Sequence, residues 1–275
     1  MQMRILIWCS VGLGLLFVMR SVNVFAQAAD QMTSASTNDV IFLDDLNFEH
    51  NYFEHTTKLG AIFTTGNTES FNISGASNTV YRVGRFANSW RLGAYFNRIT
   101  ETTSSTEGVG TIANYIYGVY RMDYYFLPLT TVFVGGGGYT DEVKGIDLAW
   151  QGFSGVSHYF LRSQNVSFNV ALGYNFTYEN RIEPDPSRDL HSVMGEISYI
   201  QRFNDYVSFS QGVSALESIN ETDDFRVNSD TELTVKLYKI ISFVAGYHIR
   251  FDNEPTIGKK KLDTIADISL AVTIK

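Results

Sequence analysis

The sequence predicts an all-β protein: an antiparallel transmembrane β-barrel of about twelve strands, with short periplasmic turns and longer extracellular loops. Three observations carry this expectation. From Lys58 onward, apolar and polar residues alternate with period two rather than 3.6. The alternating segments are each at least ten residues long, which exceeds the ~5–6 usual in soluble sheets and suits a tilted membrane-spanning strand. The connections between them sort by parity into tight and long, as in outer-membrane barrels.

The chain opens with a segment that reads as a secretory signal over residues 1–26. Arg4 gives the positive start, Ile5 to Val18 the apolar stretch, and Val24 and Ala26 suit cleavage before Gln27, with Ala28 the alternative site. The apolar run is too short for a membrane anchor, and Arg20 stops its extension toward the ~20 residues that a span needs. Residues 27–56 are expected to be a periplasmic linker or plug. Ala28 to Asn38 is small and polar, while Asp39 to His55 sets Ile41, Phe42, Leu43, Phe48, Tyr52 and Phe53 among acids. The barrel is expected over 57–275, with strands near 57–66, 70–82, 86–99, 109–125, 130–141, 147–160, 165–178, 190–203, 206–217, 225–237, 241–252 and 262–275.

The alternation is plainest late in the chain. Val166, Phe168, Val170, Leu172, Tyr174 and Phe176 are interleaved with Ser167, Asn169, Ala171, Gly173 and Asn175, and the last segment sets Ile268, Leu270 and Val272 against Asp267, Ser269 and Ala271. Connections at Val83-Gly84-Arg85, Leu127-Pro128, Ser163-Gln164, Asn204-Asp205 and Tyr238-Lys239 are tight, and those near 100–108, 142–146, 179–189, 218–224 and 253–261 are longer and polar. An even strand number leaves both ends on the short-turn side. A soluble barrel or sandwich also alternates, but with shorter strands and unsorted connections. Tyrosines and phenylalanines at strand ends, among them Tyr124, Tyr125, Phe126, Tyr159, Phe160, Tyr178, Phe203 and Tyr206, are expected to form interfacial girdles.

Composition narrows the function classes. The 275 residues carry 21 Lys+Arg against 29 Asp+Glu, a balance that disfavours non-specific nucleic-acid binding. Removal of the signal takes Arg4 and Arg20 with it, leaving 19 bases against 29 acids, a net charge of −10. The single Cys9 lies in the signal, so no disulfide framework or thiolate metal site is expected. The long-loop side holds 17 acids, including Glu179, Glu221, Asp223, Asp224 and Glu254, against 7 bases. Such loops are either simply solvated or hold divalent cations beside lipopolysaccharide.

The hairpin Lys58-Leu59-Gly60-Ala61-Ile62-Phe63-Thr64-Thr65-Gly66-Asn67-Thr68-Glu69-Ser70 resembles the opening motif of the YdiY-like salt-induced outer membrane proteins, a domain family of unknown function. Trp90, the run Tyr120-Arg121-Met122-Asp123-Tyr124-Tyr125-Phe126, and Asp141 with Gly145-Ile146-Asp147 extend the resemblance over roughly 57–275. It implies an outer-membrane location, a barrel fold and a salt-related envelope role, and it supplies no activity and no catalytic residues. Gly66, Asn67, Thr68 and Glu69 carry its most specific signal. The chain departs from many outer-membrane barrels in ending Thr273-Ile274-Lys275 rather than in an aromatic assembly signal.

Parity assigns Arg91, Arg121, Asp123, Lys236 and a cluster of Glu196, Arg202, Asp230, Glu232, His248, Arg250 and Asp267 to the lumen, because a charge turned toward lipid costs several kcal/mol. Pairing the tenth and eleventh segments through the turn at Lys239 sets Asp230 opposite His248 and Asn228 opposite Arg250. This cluster is either a selectivity ring or gate, or a salt-bridged interior that holds a narrow barrel together. No cofactor or metal site is expected. Catalysis finds little support: His191 and Ser192 are neighbours and point to opposite faces, and His158 and Ser154 lie ~13 Å apart along one strand. His50 and His55 are at most weak metal contacts. Gly135 to Gly138 lacks the Lys-Ser/Thr of a phosphate loop and is expected to permit bending or close approach. The function expected is an outer-membrane barrel acting as a narrow channel or envelope protein. The alternatives are a lipid-modifying enzyme or a surface-binding module using the acidic loops. Expected partners are outer-membrane lipid and lipopolysaccharide, the barrel-assembly machinery and divalent cations, with no nucleic acid.

Overall fold

A computed structural model describes residues 48–64, 69–100, 102–103, 106–107, 111–141, 145–221, 223–256 and 261–275. The expected signal segment, residues 27–47 of the expected linker or plug, and Gly66, Asn67 and Thr68 of the family motif lie outside them; Glu69 opens a strand.

The strands are β1 (Tyr52–Thr64), β2 (Glu69–Val83), β3 (Phe86–Thr100), β4 (Thr102–Thr103), β5 (Thr106–Glu107), β6 (Thr111–Leu127), β7 (Thr130–Asp141), β8 (Ile146–Arg162), β9 (Val166–Arg181), β10 (Arg188–Arg202), β11 (Val207–Ser218), β12 (Phe225–Tyr238), β13 (Ile241–Asp252) and β14 (Leu262–Ile274). The two-residue strands β4 and β5 pair only with each other, inside one long loop. The other twelve close an antiparallel barrel, each pairing with its chain neighbours, and β1 meets β14 from His55↔Ile274 to Gly60↔Ser269. The first strand starts at Tyr52, five residues before the expected 57, because Tyr52 to Thr56 continue the ladder down to Arg82 of β2.

Side-chain direction explains why such a sheet closes and where it sits. Large apolar residues point outward: Leu172, Phe160, Ile268 and Leu270 are all more than half exposed. Polar residues point inward: Asn175, Glu179, Arg250 and Ser214 are almost fully buried. This inverts a soluble protein and is the arrangement a bilayer selects, since closure pairs every strand edge and lipid accepts the apolar face. The protein is therefore an outer-membrane barrel with a lipid-facing exterior. The tight turns, such as Gly84-Arg85 and Lys239-Ile240, lie at the end that holds both Tyr52 and Ile274, the periplasmic end. Gly84 (φ 53°) and Lys239 (φ 35°) take the left-handed backbone that two-residue hairpin loops demand.

The aromatic girdle needs one correction. Tyr124, Phe126, Phe160, Phe203 and Tyr206 face outward, but Tyr125 and Tyr159, both expected in the girdle, turn inward and stack on each other. Adjacent residues on a strand point to opposite faces, so Tyr124 and Tyr125 cannot both meet lipid.

Inside, the lumen is unevenly filled. Tyr115, Tyr117, Val119, Phe133, Tyr139, Phe153 and Met194 pack into an apolar core along the β6–β10 side. The glycine run in β7 admits close approach from two sources: a Cβ on Gly135 would collide with the Phe153 ring of this core and with the Tyr120 carbonyl, and one on Gly136 would strike the Gln151 carbonyl of the neighbouring strand. At the periplasmic mouth Phe48 is buried with Val80, Ala87 and Tyr125. The periplasmic turns and the strand residues next to them carry Arg82, Arg85, Arg162, Arg202, Lys236, Lys239 and Lys275 against Glu54 and Asp205.

Candidate functional site

The site is assembled by register. The turn at Lys239 pairs β12 with β13 so that Asp230 faces His248 and Asn228 faces Arg250, and β14 then sets Asp267 opposite Gly246. His248 Nδ1 lies 2.6 Å from Asp230 Oδ1, and Nε2 lies 2.8 Å from Asp267 Oδ1. Carboxylates only accept, so the ring donates from both nitrogens. Arg250 donates to the same Asp230 oxygen, and its Nη1 donates to the carbonyls of Ser229 and Ile249 at 3.2 and 2.9 Å. Two aspartates thus face one guanidinium and one imidazolium, a neutral cluster. Gly246 makes it possible, since a Cβ there would strike Asp267 and His248.

Below the cluster lies a cavity of about 260 Å³. It reaches from Glu54, Ser208 and Thr273 at the periplasmic strand ends up to Asp230, His248 and Asp267, and Arg91, Tyr117 and Arg202 share its wall. Lys58 Nζ spans from β1 to Glu232 on β12 at 2.6 Å, although two strands separate them in the barrel wall.

The seven residues grouped by parity therefore divide. Asp230, His248, Arg250 and Asp267 form one contact group, and Glu232 and Arg202 line the same cavity. Glu196 belongs elsewhere: it meets Arg121 at 3.3 Å across the filled side of the lumen. Arg121 also holds Asp123 through two 2.9 Å hydrogen bonds and lies 3.8 Å over the Phe133 ring. Lys58 and Arg121 were the site partners that parity alone did not pair, because both reach non-neighbouring strands.

A third network lies at the extracellular end. Glu179, fully buried, accepts from Arg181, Arg188 and Arg226 at 3.1, 3.0 and 2.6 Å, and Asp224 holds Arg226 and Arg188. Residues that the sequence assigns to solvated loops are thus folded into the mouth. Glu221, Asp224 and Glu254 bring carboxylate oxygens within 4.8 Å of one another, but Arg188 already contacts all three, at 3.2, 2.7 and 3.6 Å.

The remaining histidines have modest partners. His158 meets Thr130, His191 meets Tyr174 on the outer face, and His55 meets Thr79 and Thr57.

A family model described as a protein of unknown function, DUF481, matches residues 57–274. No curated protein matches the chain by sequence. Among solved structures, the chain is similar to the NanC porin at 9% identity, covering 80% of this chain and 99% of that one with a TM-score of 0.50. It is also similar to an outer membrane channel from Pseudomonas putida at 9% identity, 82% and 95% coverage and a TM-score of 0.49. An anion-selective porin from Comamonas acidovorans matches at 9% identity, 82% and 99% coverage and a TM-score of 0.37. At these identities the likeness is one of fold.

Proposed function

Since this chain belongs to the DUF481 family, whose description assigns no activity, we propose a function from the lumen itself: a narrow outer-membrane channel for ions and small polar solutes. The observation that carries this reading is the asymmetry of the interior. One side is packed with aromatic side chains, while the other holds a polar cavity that rises from the periplasmic end to the Asp230–His248–Asp267–Arg250 cluster. On this reading the cluster is the constriction, and its alternating charges face a permeating ion much as a selectivity ring does. Glu232 with Lys58, and Arg202 nearer the mouth, line the approach.

Two other readings have less support. Among the described residues His158, His191 and His248 meet Thr130, Tyr174 and two aspartates, none of them a nucleophilic serine, so we read the barrel as non-enzymatic. Divalent cations bridging the acidic rim to lipopolysaccharide would have to displace Arg188 from Glu221, Asp224 and Glu254. Insertion by the barrel-assembly machinery goes with either.

The test is single-channel recording of the refolded protein in a planar bilayer. Discrete conductance steps are expected, with the cation-to-anion permeability ratio shifted by Asp267→Asn and His248→Gln. Silence from demonstrably folded protein would overturn the reading and leave the charged interior as a purely structural plug.

A further inference from the structure

The polar cavity owes its room to register. Gly60 of β1 stands between Ser269 of β14 and Ser74 of β2, and the next inward row sets Lys58 between Ala271 and Ala76, with Gly93 of β3 beyond. Small side chains at these inward positions keep the wall back from the lumen axis. The cavity they leave, about 260 Å³, is just below the ~300–1,000 Å³ of sites for drug-sized ligands and suits a single sugar-sized ring.

Two buried hydroxyls line this space without a partner among the described residues. Ser269 is 5% exposed, and its Oγ makes no hydrogen bond. Tyr117 is 9% exposed, and its hydroxyl makes none either. The Tyr117 ring lies over Gly93, where a Cβ would strike it, and stacks on Tyr115 with centroids 5.3 Å apart. Its hydroxyl is therefore held in one place, which lowers the ordering cost of binding a ligand there. A buried hydroxyl left unmet costs free energy, and each of these two can both donate and accept.

Charge narrows the ligand further. The acids on the cavity wall are Glu54, Asp230, Glu232 and Asp267. Against them stand Lys58, Arg91, Arg202 and His248, which donates from both ring nitrogens. Four against four leaves no net charge to draw in an ion of either sign. The acids are also engaged in place: Glu54 by Lys275 at 2.8 Å, Glu232 by Lys58 at 2.6 Å, and both aspartates by His248. An entering ion must compete with these pairs. A neutral hydroxyl need not, since it donates to a spare carboxylate lone pair or accepts from a spare N–H.

We infer that the cavity is a saccharide site, taking a neutral polyhydroxylated molecule of monosaccharide size whose hydroxyls meet Tyr117 and Ser269. The inference deepens the channel reading by naming its solute, and rests on that reading for the passage of the saccharide.

The test titrates the folded barrel in detergent with glucose, gluconate and glucosamine at neutral pH, and reads binding by saturation-transfer NMR on the ligand. These probes share a six-carbon polyhydroxylated skeleton and differ in charge. Glucose is expected to bind saturably, and about tenfold or more tighter than either charged probe. Tyr117→Phe and Ser269→Ala each remove a hydroxyl that bonds to nothing in the chain, so both variants fold, as a heat-dependent gel shift would verify. Each should weaken glucose binding by about two- to tenfold, the worth of one hydrogen bond. Ser167→Ala removes an equally buried, unpartnered hydroxyl away from the cavity and should leave binding unchanged. Single-channel recording of the same protein separates the two readings. Conducting protein that gives no saturable glucose signal, or the same affinity in parent, Tyr117→Phe and Ser269→Ala, overturns the inference and leaves the channel. Preference for gluconate or glucosamine overturns it too. Saturable glucose binding by folded protein that passes no current supports the site and overturns the channel reading instead.

Discussion

Asp230 shows how much of a site a single register decision determines. The turn chemistry at Tyr238-Lys239 and period-two parity together place His248 across from it, and both signals are present in the sequence. Parity also turns Asp267 into the lumen but does not reveal its contact with the histidine, a second hydrogen bond for which Gly246 leaves room. Nor does it reveal Arg121–Glu196, where the two strands are neighbours neither in the chain nor in the sheet. That pair yields a stability prediction. Arg121→Met removes the cation that Asp123 and Glu196 both meet inside the lumen, and removing one partner of a buried pair costs about 3–5 kcal/mol. Urea unfolding of the folded barrel should register a loss of that size. Adding Asp123→Asn and Glu196→Gln to Arg121→Met should recover most of it, because the uncompensated charges are then gone.

Strands were the most legible level. Each of the twelve barrel strands overlaps an expected segment, since alternation over ten or more residues is hard to mistake for a helix. Strand ends were less legible, with physical consequences. β9 runs to Arg181 and β10 starts at Arg188, longer than expected, and this extra length turns Glu179 inward to meet Arg226 of β12. Loop charges that look solvated in a sequence become a buried ion-pair network once the strands continue past the bilayer. The outward faces of the same strands can be tested by depth. Leu172 lies near the middle of β9 and is 65% exposed, so Leu172→Arg should weaken folding into vesicles by about 2–4 kcal/mol. Leu237, next to the end of β12, is 58% exposed, and Leu237→Arg should cost no more than about 1 kcal/mol. Equal losses at the two positions would argue against the depth assignment.

At the scale of the whole molecule, closure is the defining property, and it depends on β1 meeting β14 between His55 and Gly60. A barrel with every edge paired and its lumen crossed by Lys58–Glu232, Arg121–Glu196 and Arg226–Glu179 should resist detergent until heated. Its mobility on a denaturing gel should therefore change on boiling, and identical mobility before and after would count against a closed barrel. The sequence carries the closure only indirectly, through an even strand count and two ends on the same side. It holds no local mark of which side chains meet across the lumen, because those meetings depend on the tilt that closure imposes. The uneven filling of that lumen also has a mechanical side. A packed interior is nearly incompressible, so the wall from β6 to β10 is braced from within by Phe133, Phe153 and Met194. The wall around β12, β14 and β1 backs onto the cavity and lacks such bracing. Lateral tension in the bilayer should therefore deform the tube more on the cavity side, the one that carries His248 and its two aspartates, where Lys58–Glu232 is the cross-lumen tie described.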